Sequence, residues 1–236
     1  IKSIDTKAAQ SAPGVVGVFT GADIEADKVG GPICGWVVPC RDGSSTKEPP
    51  HPLLAQGKVR FVGDAVAVVV AETMEQAKSA AELIDVDYNE LTPVVDFVNA
   101  DKGAQIHEEV PNNCYFDWEL GDESATNKAI ESAAKVVKLS VRNNRLVPNA
   151  MEPRSALAEY DSLDESYTLH TTSQNPHLTR LVLAAFMFAI PESKLRVIAP
   201  DVGGGFGSKI YVYIEEAVCV WASKKIGRPV KWTADR

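Results

Sequence analysis

The sequence predicts an α+β protein, and three observations carry that prediction. Residues 61–88 read as a strand, a helix and a second strand in succession. After residue 125, strand and helix patterns alternate to the end. Between these parts lies a tract rich in Asn, Asp, Gly and Pro with little periodicity, as a linker would have. At 236 residues, the chain suits one large domain or two small ones, on a prior of ~150 residues per domain.

Residues 14–20 (GVVGVFT) have the apolar, β-branched character of a short strand entering a Gly-Ala-Asp turn. Residues 28–57 are rich in Gly and Pro and are expected to form a long loop. The run 65–70 (AVAVVV) within 61–70 predicts a strand buried on both faces. Thr73 and Gln76 have capping-box spacing and open a helix to about Leu83, with Met74, Ala77, Ala80 and Ala81 on one stripe. Residues 84–88 (IDVDY) alternate as a half-buried strand does.

Further along, 127–134 is expected to be a short helix and 135–141 (KVVKLSV) a strand. Strands are also expected at 167–172 and 195–199. A helix is expected over 176–190, with Pro176 in its first turn. The longest helix signal, 211–226, stops at Gly227 with Pro229 beyond it, and 230–233 starts another strand.

Composition narrows the function. Lys and Arg number 24 against 32 Asp and Glu, a net charge of −8. That excludes a general nucleic-acid binder and argues against docking on an anionic membrane. No window approaches the ~18 apolar residues of a membrane span. Nothing near Ile1 reads as a signal peptide. The first residue is not methionine and both ends are abrupt, so a piece of a longer polypeptide is expected. Cys34, Cys40, Cys114 and Cys219 have neither CxxC nor knuckle spacing, the mark of free thiols in a reducing cytoplasm. His51, His107, His170 and His177 have no zinc spacing. No G-x-S-x-G elbow and no iron–sulfur cysteine pattern occurs. No protein-ligated metal is expected.

Three segments stand out. Asp201-Val202-Gly203-Gly204-Gly205-Phe206-Gly207-Ser208-Lys209 puts glycines between a strand and a helix. Backbone N–H groups there, together with a helix N-terminus, would favour an anion. The order fits neither a P-loop nor a Rossmann turn, and a tight turn without ligand explains it equally well. Thr171-Thr172-Ser173-Gln174-Asn175-Pro176-His177 concentrates neutral donors and acceptors at a strand end. They could orient an oxo group or a carbonyl, or Ser173 or Asn175 could cap the helix. Residues 145–154, with Arg145, Glu152 and Arg154, read first as a structural turn with an ion pair.

Taken together, Met151-Glu152-Pro153-Arg154, Ser173–His177 and Asp201–Lys209 resemble the molybdopterin-binding large subunit of the xanthine dehydrogenase / aldehyde oxidase / aerobic carbon monoxide dehydrogenase family. Residues 227–236 (GRPVKWTADR) fit it too. Residues 12–23 (APGVVGVFTGAD) and 62–70 (VGDAVAVVV) resemble its α/β hammerhead domain. The resemblance covers essentially the whole chain. It implies a hammerhead domain over 1–110 lacking its N-terminal part, a linker at 111–125, and the truncated start of the molybdopterin-binding domain at 126–236.

It further implies a molybdenum hydroxylase. Such an enzyme oxidises a small substrate (an aldehyde, carbon monoxide or an N-heterocycle) with water as the oxygen source. The cofactor would be molybdopterin cytosine dinucleotide with molybdenum, held by its own dithiolene. Electrons would pass to a [2Fe-2S] small subunit and an FAD medium subunit in a cytoplasmic heterotrimer that includes the remaining C-terminal part of the large subunit. By position, Gln174 would hydrogen-bond an oxo ligand. Gly203, Gly204, Gly205, Phe206 and Gly207 would bind the cofactor, with N–H groups of 205–207 facing its ligands. Gln174 and Phe206 are the catalytic candidates. Purine-oxidising relatives carry Glu where this chain has Ile210, so a purine substrate is not expected. The family's general-base glutamate, in a G-x-G-E segment, does not occur here. A non-catalytic scaffold that keeps the fold is the alternative.

Overall fold

The computed structural model describes residues 1–235, which divide into two compact units. The first gathers Ile1–Ile33, Pro50–Pro93 and the chain from Pro148 on; the second gathers Cys34–Pro49 and Val94–Val147.

The first unit begins with β1 (Ser3–Asp5), α1 (Lys7–Gln10), β2 (Val15–Thr20) and α2 (Gly21–Ala26). Then come β3 (Ala67–Ala71), α3 (Met74–Ala81) and β4 (Asp85–Asp87). The expected Gly-Ala-Asp turn is the first turn of α2. Its start is fixed by Asp23, whose carboxylate accepts from the Thr20 N–H at 2.7 Å. The capping box of α3 is as its spacing predicts: Gln76 N–H donates to Thr73 Oγ1 at 3.2 Å, and Thr73 N–H to Gln76 Oε1 at 3.1 Å.

The strands around α3 do not join one sheet. β3 pairs antiparallel with β2, and β4 antiparallel with β1. The strand–helix–strand pattern of 61–88 is therefore not a parallel crossover unit. Nor is β3 buried on both faces: only Val70 is fully buried, because a two-stranded ribbon has just one face to cover.

A four-stranded sheet organises the rest of this unit, in the order β7–β6–β5–β8. It comprises β5 (Ser155–Asp161), β6 (Ser166–Thr171), β7 (Leu195–Ile198) and β8 (Val230–Thr233). β6 and β7 run parallel; the other pairs are antiparallel. β5 pairs on both sides, and its alternation puts Ala156 and Ala158 inward. α6 (Ile214–Ile226) lies on this sheet, burying Ala217, Val220 and Ala222, and ends at Gly227 with a left-handed φ of 65°. Small residues let helix and sheet approach closely. On its other side Trp221 meets Phe19 of β2 edge-to-face at 5.0 Å, and its indole N–H donates to Asp27 at 2.9 Å. α5 (Pro176–Leu181) continues into a π-helical turn, Val182–Met187, which closes the expected 176–190 helix early.

The second unit holds α4 (Glu123–Glu131), capped by Asp122, which starts before the expected 127–134. Two 3-10 turns, Ala100–Lys102 and Pro111–Asn113, are tied by Asn113, whose side chain donates to Ala100 and Ala104 carbonyls and accepts from Ile106 N–H. Residues 111–125 lie within this unit. The strand expected at 135–141 does not form. These residues are exposed and pair with no strand among the described residues. Alternation alone cannot make a strand where no partner satisfies the backbone.

Candidate functional site

The three conspicuous segments converge within the first unit. Arg154 leads into β5, Gln174 follows β6, and the glycine run follows β7. Because these strands are neighbours in one sheet and β5 runs antiparallel to β6, the segment entering β5 meets the loops leaving β6 and β7.

Gln174 has its side-chain carbonyl held by two backbone donors. Its Oε1 accepts from the Gly207 N–H at 3.0 Å and the Lys209 N–H at 3.2 Å. Its own N–H donates to the Lys209 carbonyl at 2.8 Å. With Oε1 taken by two donors, the amide orientation is fixed, and Nε2 makes no hydrogen bond among the described residues. A Cβ at Gly205 would overlap the Gln174 side-chain amide, so a larger residue there would displace Gln174 from its place. Gly207 adopts a φ of +90°, open to glycine and strained for other residues.

The N–H groups of the glycine run are not equivalent. Gly203 donates to Glu152 Oε2 at 2.7 Å, Gly204 to the Val202 carbonyl at 2.9 Å, and Gly207 to Gln174. Among the described residues, Gly205 and Phe206 N–H make no hydrogen bond. The unpaired donors of 205–207 are thus two rather than three, with Gln174 Nε2 as a further one. Phe206 carries a left-handed φ of 52°, and the residue is 75% exposed. That backbone is costly for a bulky residue, by about 1–3 kcal/mol, and such strain clusters at functional loops.

The helix N-terminus plays no part in this donor set. α6 starts only at Ile214, and Glu215 and Glu216 occupy its first turn. Glu216 is buried, accepts from the Tyr213 N–H at 3.0 Å and meets the Thr171 hydroxyl. Burial pushes its carboxyl above the usual range. Arg154 forks onto Glu215 with two bonds of 3.1 Å and stacks 3.7 Å over the Tyr213 ring. It is a structural pair, as the turn reading has it. Asn175 caps α5 through Leu178 N–H at 3.2 Å, while Ser173 accepts from Asn175 N–H at 3.0 Å. His177 is exposed. Glu152, the carboxylate that touches the loop, is committed to Lys209 and Gly203, and the Lys209 hydrogen bond holds it below the usual carboxylate range.

Lys209 has a role that the motifs alone do not suggest. It is 3% exposed in its side chain and bonds all three segments. The signal available was its place at the end of the glycine run, where a lysine suggests an anion rather than an internal partner.

Residues 106–236 match the model of the molybdopterin cofactor-binding domain, and residues 1–92 that of the aldehyde oxidase and xanthine dehydrogenase a/b hammerhead domain. The chain belongs to this family of molybdopterin-binding large subunits. It is 36% identical to the carbon monoxide dehydrogenase large chain of Afipia carboxidovorans, covering 100% of this chain and 29% of that one. It is 34% identical to the nicotine 6-hydroxylase large subunit of Paenarthrobacter nicotinovorans, covering 100% of this chain and 28% of the relative. The crystal structure of quinoline 2-oxidoreductase from Pseudomonas putida 86 superposes with a TM-score of 0.84 at 36% identity, over 100% of this chain and 29% of that one. The chain therefore spans under a third of the length of these relatives. The α+β fold, a hammerhead domain followed by the start of the molybdopterin-binding domain, agrees with the sequence expectation.

Proposed function

We propose that this chain is the part of a molybdenum hydroxylase large subunit that presents hydrogen-bond donors to a molybdenum–pterin cofactor. The observation that carries the reading is Gln174: two backbone donors on Oε1 leave Nε2 free beside the free N–H groups of Gly205 and Phe206. The donor set is neutral and acceptor-poor. It suits the anionic oxygen or sulfur ligands of a metal that brings its own dithiolene, and it would bind them without transferring a proton. The close fit of Gly205 to Gln174 keeps side chains out of that space.

When bound, the cofactor would supply net oxygen transfer from water, R–H + H2O → R–OH + 2H⁺ + 2e⁻ for a C–H substrate or CO + H2O → CO2 + 2H⁺ + 2e⁻ for carbon monoxide. This chain's residues bind and orient. Gln174, Gly205 and Phe206 donate to the ligand atoms; Gly203, Gly204 and Gly207 shape the loop; the exposed Phe206 ring forms a wall for the substrate. The relatives' names point to carbon monoxide or an N-heterocycle as substrate class, and the family adds aldehydes. Ile210 supplies no carboxylate for a purine. The reading includes the cytosine dinucleotide form of the cofactor, electron transfer to [2Fe-2S] and FAD subunits, a cytoplasmic location, and a general base outside these residues.

The test is molybdenum per chain in the complete gene product, purified with whatever co-purifies, together with Gln174→Ala. Close to one metal per chain, and a turnover loss of about 10²-fold in the variant, comparable to removing an oxyanion-hole donor, are expected. A metal-free preparation with intact partners would instead indicate a scaffold that keeps the fold without the chemistry.

A further inference from the structure

We infer that Lys209 is a positioning residue that, through Glu152, holds the loop carrying the three unpaired donors in place. The inference deepens the proposed function and rests on it. It stands on a set of contacts made by a single residue. Lys209 Nζ donates to the Glu152 backbone carbonyl and to Oε2, both at 2.9 Å. Its backbone N–H donates to Gln174 Oε1 at 3.2 Å, and its carbonyl accepts from Gln174 N–H at 2.8 Å. The same carbonyl accepts from the Ser173 hydroxyl at 3.4 Å. The segments around residues 152, 174 and 203–209 are thus joined at one position.

Glu152 closes the ring. Its Oε2 takes the Gly203 N–H as well as Nζ, and its own N–H donates to the Gly203 carbonyl at 3.4 Å. The loop is consequently tied at its start, Gly203, and at its end, Lys209. Between the ties lie Gly205 and Phe206, the residues whose N–H groups are free. A lysine buried to this degree loses hydration that an apolar residue would not lose, and replacing such pairs by apolar groups is often neutral or stabilising. A pair kept for stability alone is therefore a poor explanation. A pair that holds donors to within fractions of an ångström is a good one, since misplacement by ~1 Å can cost about 10²-fold in rate.

The experiment uses the complete subunit with its co-purifying partners and compares Lys209→Met, Glu152→Gln and the double variant. Lys209→Met keeps the backbone contacts to Gln174 and removes only the strut. Glu152→Gln keeps an acceptor for Gly203 and removes the charge. Expected are molybdenum content within twofold of the parent, turnover per molybdenum at least tenfold lower at a KM within twofold, and an altered Mo(V) paramagnetic resonance spectrum. The double variant is expected to be no worse than the more impaired single variant. Unchanged turnover per metal and an unchanged spectrum, at whatever melting temperature, overturn the inference. If Lys209→Met does not fold, the same criteria apply to Glu152→Gln alone. If the parent carries no molybdenum, the proposed function fails. Amide exchange of a peptide spanning 201–209 then decides the strut: exchange at least tenfold faster in the variants supports it, and unchanged exchange overturns it.

Discussion

Two stretches of similar length and alternation behave in opposite ways. Residues 135–141 (KVVKLSV) have β-branched residues and alternate, yet they stay exposed and unpaired among the described residues. Ser155–Asp161 (SALAEYD) has two alanines and two acids, poor strand formers, yet it pairs on both sides at the centre of the sheet. The difference lies in the neighbours. β6 follows β5 across a short turn and supplies a six-residue antiparallel register, and β8 closes the other edge. Strand propensity reports fit to a half-buried surface, so it has meaning only where such a surface exists.

The contrast is sharpest in the core. Leu169 on β6 is 0% exposed and Leu139 is 84% exposed. Leu169→Ala is expected to destabilise the chain by about 2–5 kcal/mol, and Leu139→Ala to stay within about 0.5 kcal/mol, both read by denaturant unfolding. An equal response at the two sites would break the comparison. Next in size is overpacking. Ala158, also 0% exposed, faces α6, and Ala158→Val is expected to cost about 1–3 kcal/mol, whereas Val137→Leu should leave the midpoint where it was.

A third effect is local and should not depend on the sheet at all. Thr73→Ala removes the acceptor for Gln76 N–H and is expected to cost about 1 kcal/mol. Thr73→Asp, which restores an acceptor, should recover most of it. The smallest effect is a pH slope. Thr171 has one hydroxyl proton and two acceptors, the Ser155 carbonyl and Glu216 Oε1. The Glu216 carboxyl is raised by burial, so the folded state binds more protons than the unfolded one between the ordinary value of 4.5 and the folded value. The stabilising contribution is whole below 4.5 and is lost as pH rises through the folded value. Glu216→Gln is expected to flatten that part of the stability–pH profile. Glu152, lowered by Lys209, acts in the opposite sense: its contribution is present above 4.5 and is lost as pH falls through its folded value.

Local signals were legible. The Thr73–Gln76 box, the Gly227 stop and the strands at 15–20 and 195–198 all follow from spacing within a few residues of each other. The hammerhead and molybdopterin-binding character was legible too, because the motifs that carry it keep their wording and their order. The strand at β5 was not legible, because alanines at 156 and 158 carry little strand propensity and gain their value from the helix packed on them. Nor was the break of 176–190 into α5 and a π-helical turn, which the sequence pattern alone does not mark.

For the site, residue chemistry alone singled out the polar segment 171–177 and the glycine run, while Gln174 within that segment was picked out only by the family resemblance. Only the tertiary structure decided which donors are free. Gly207 turns inward to Gln174, Gly205 and Phe206 do not, and Lys209 spends its charge on Glu152 rather than on a ligand. The physical reason is that hydrogen-bond capacity is finite. A residue type states how many bonds a group can make, and only its neighbours in space determine which of them are already made.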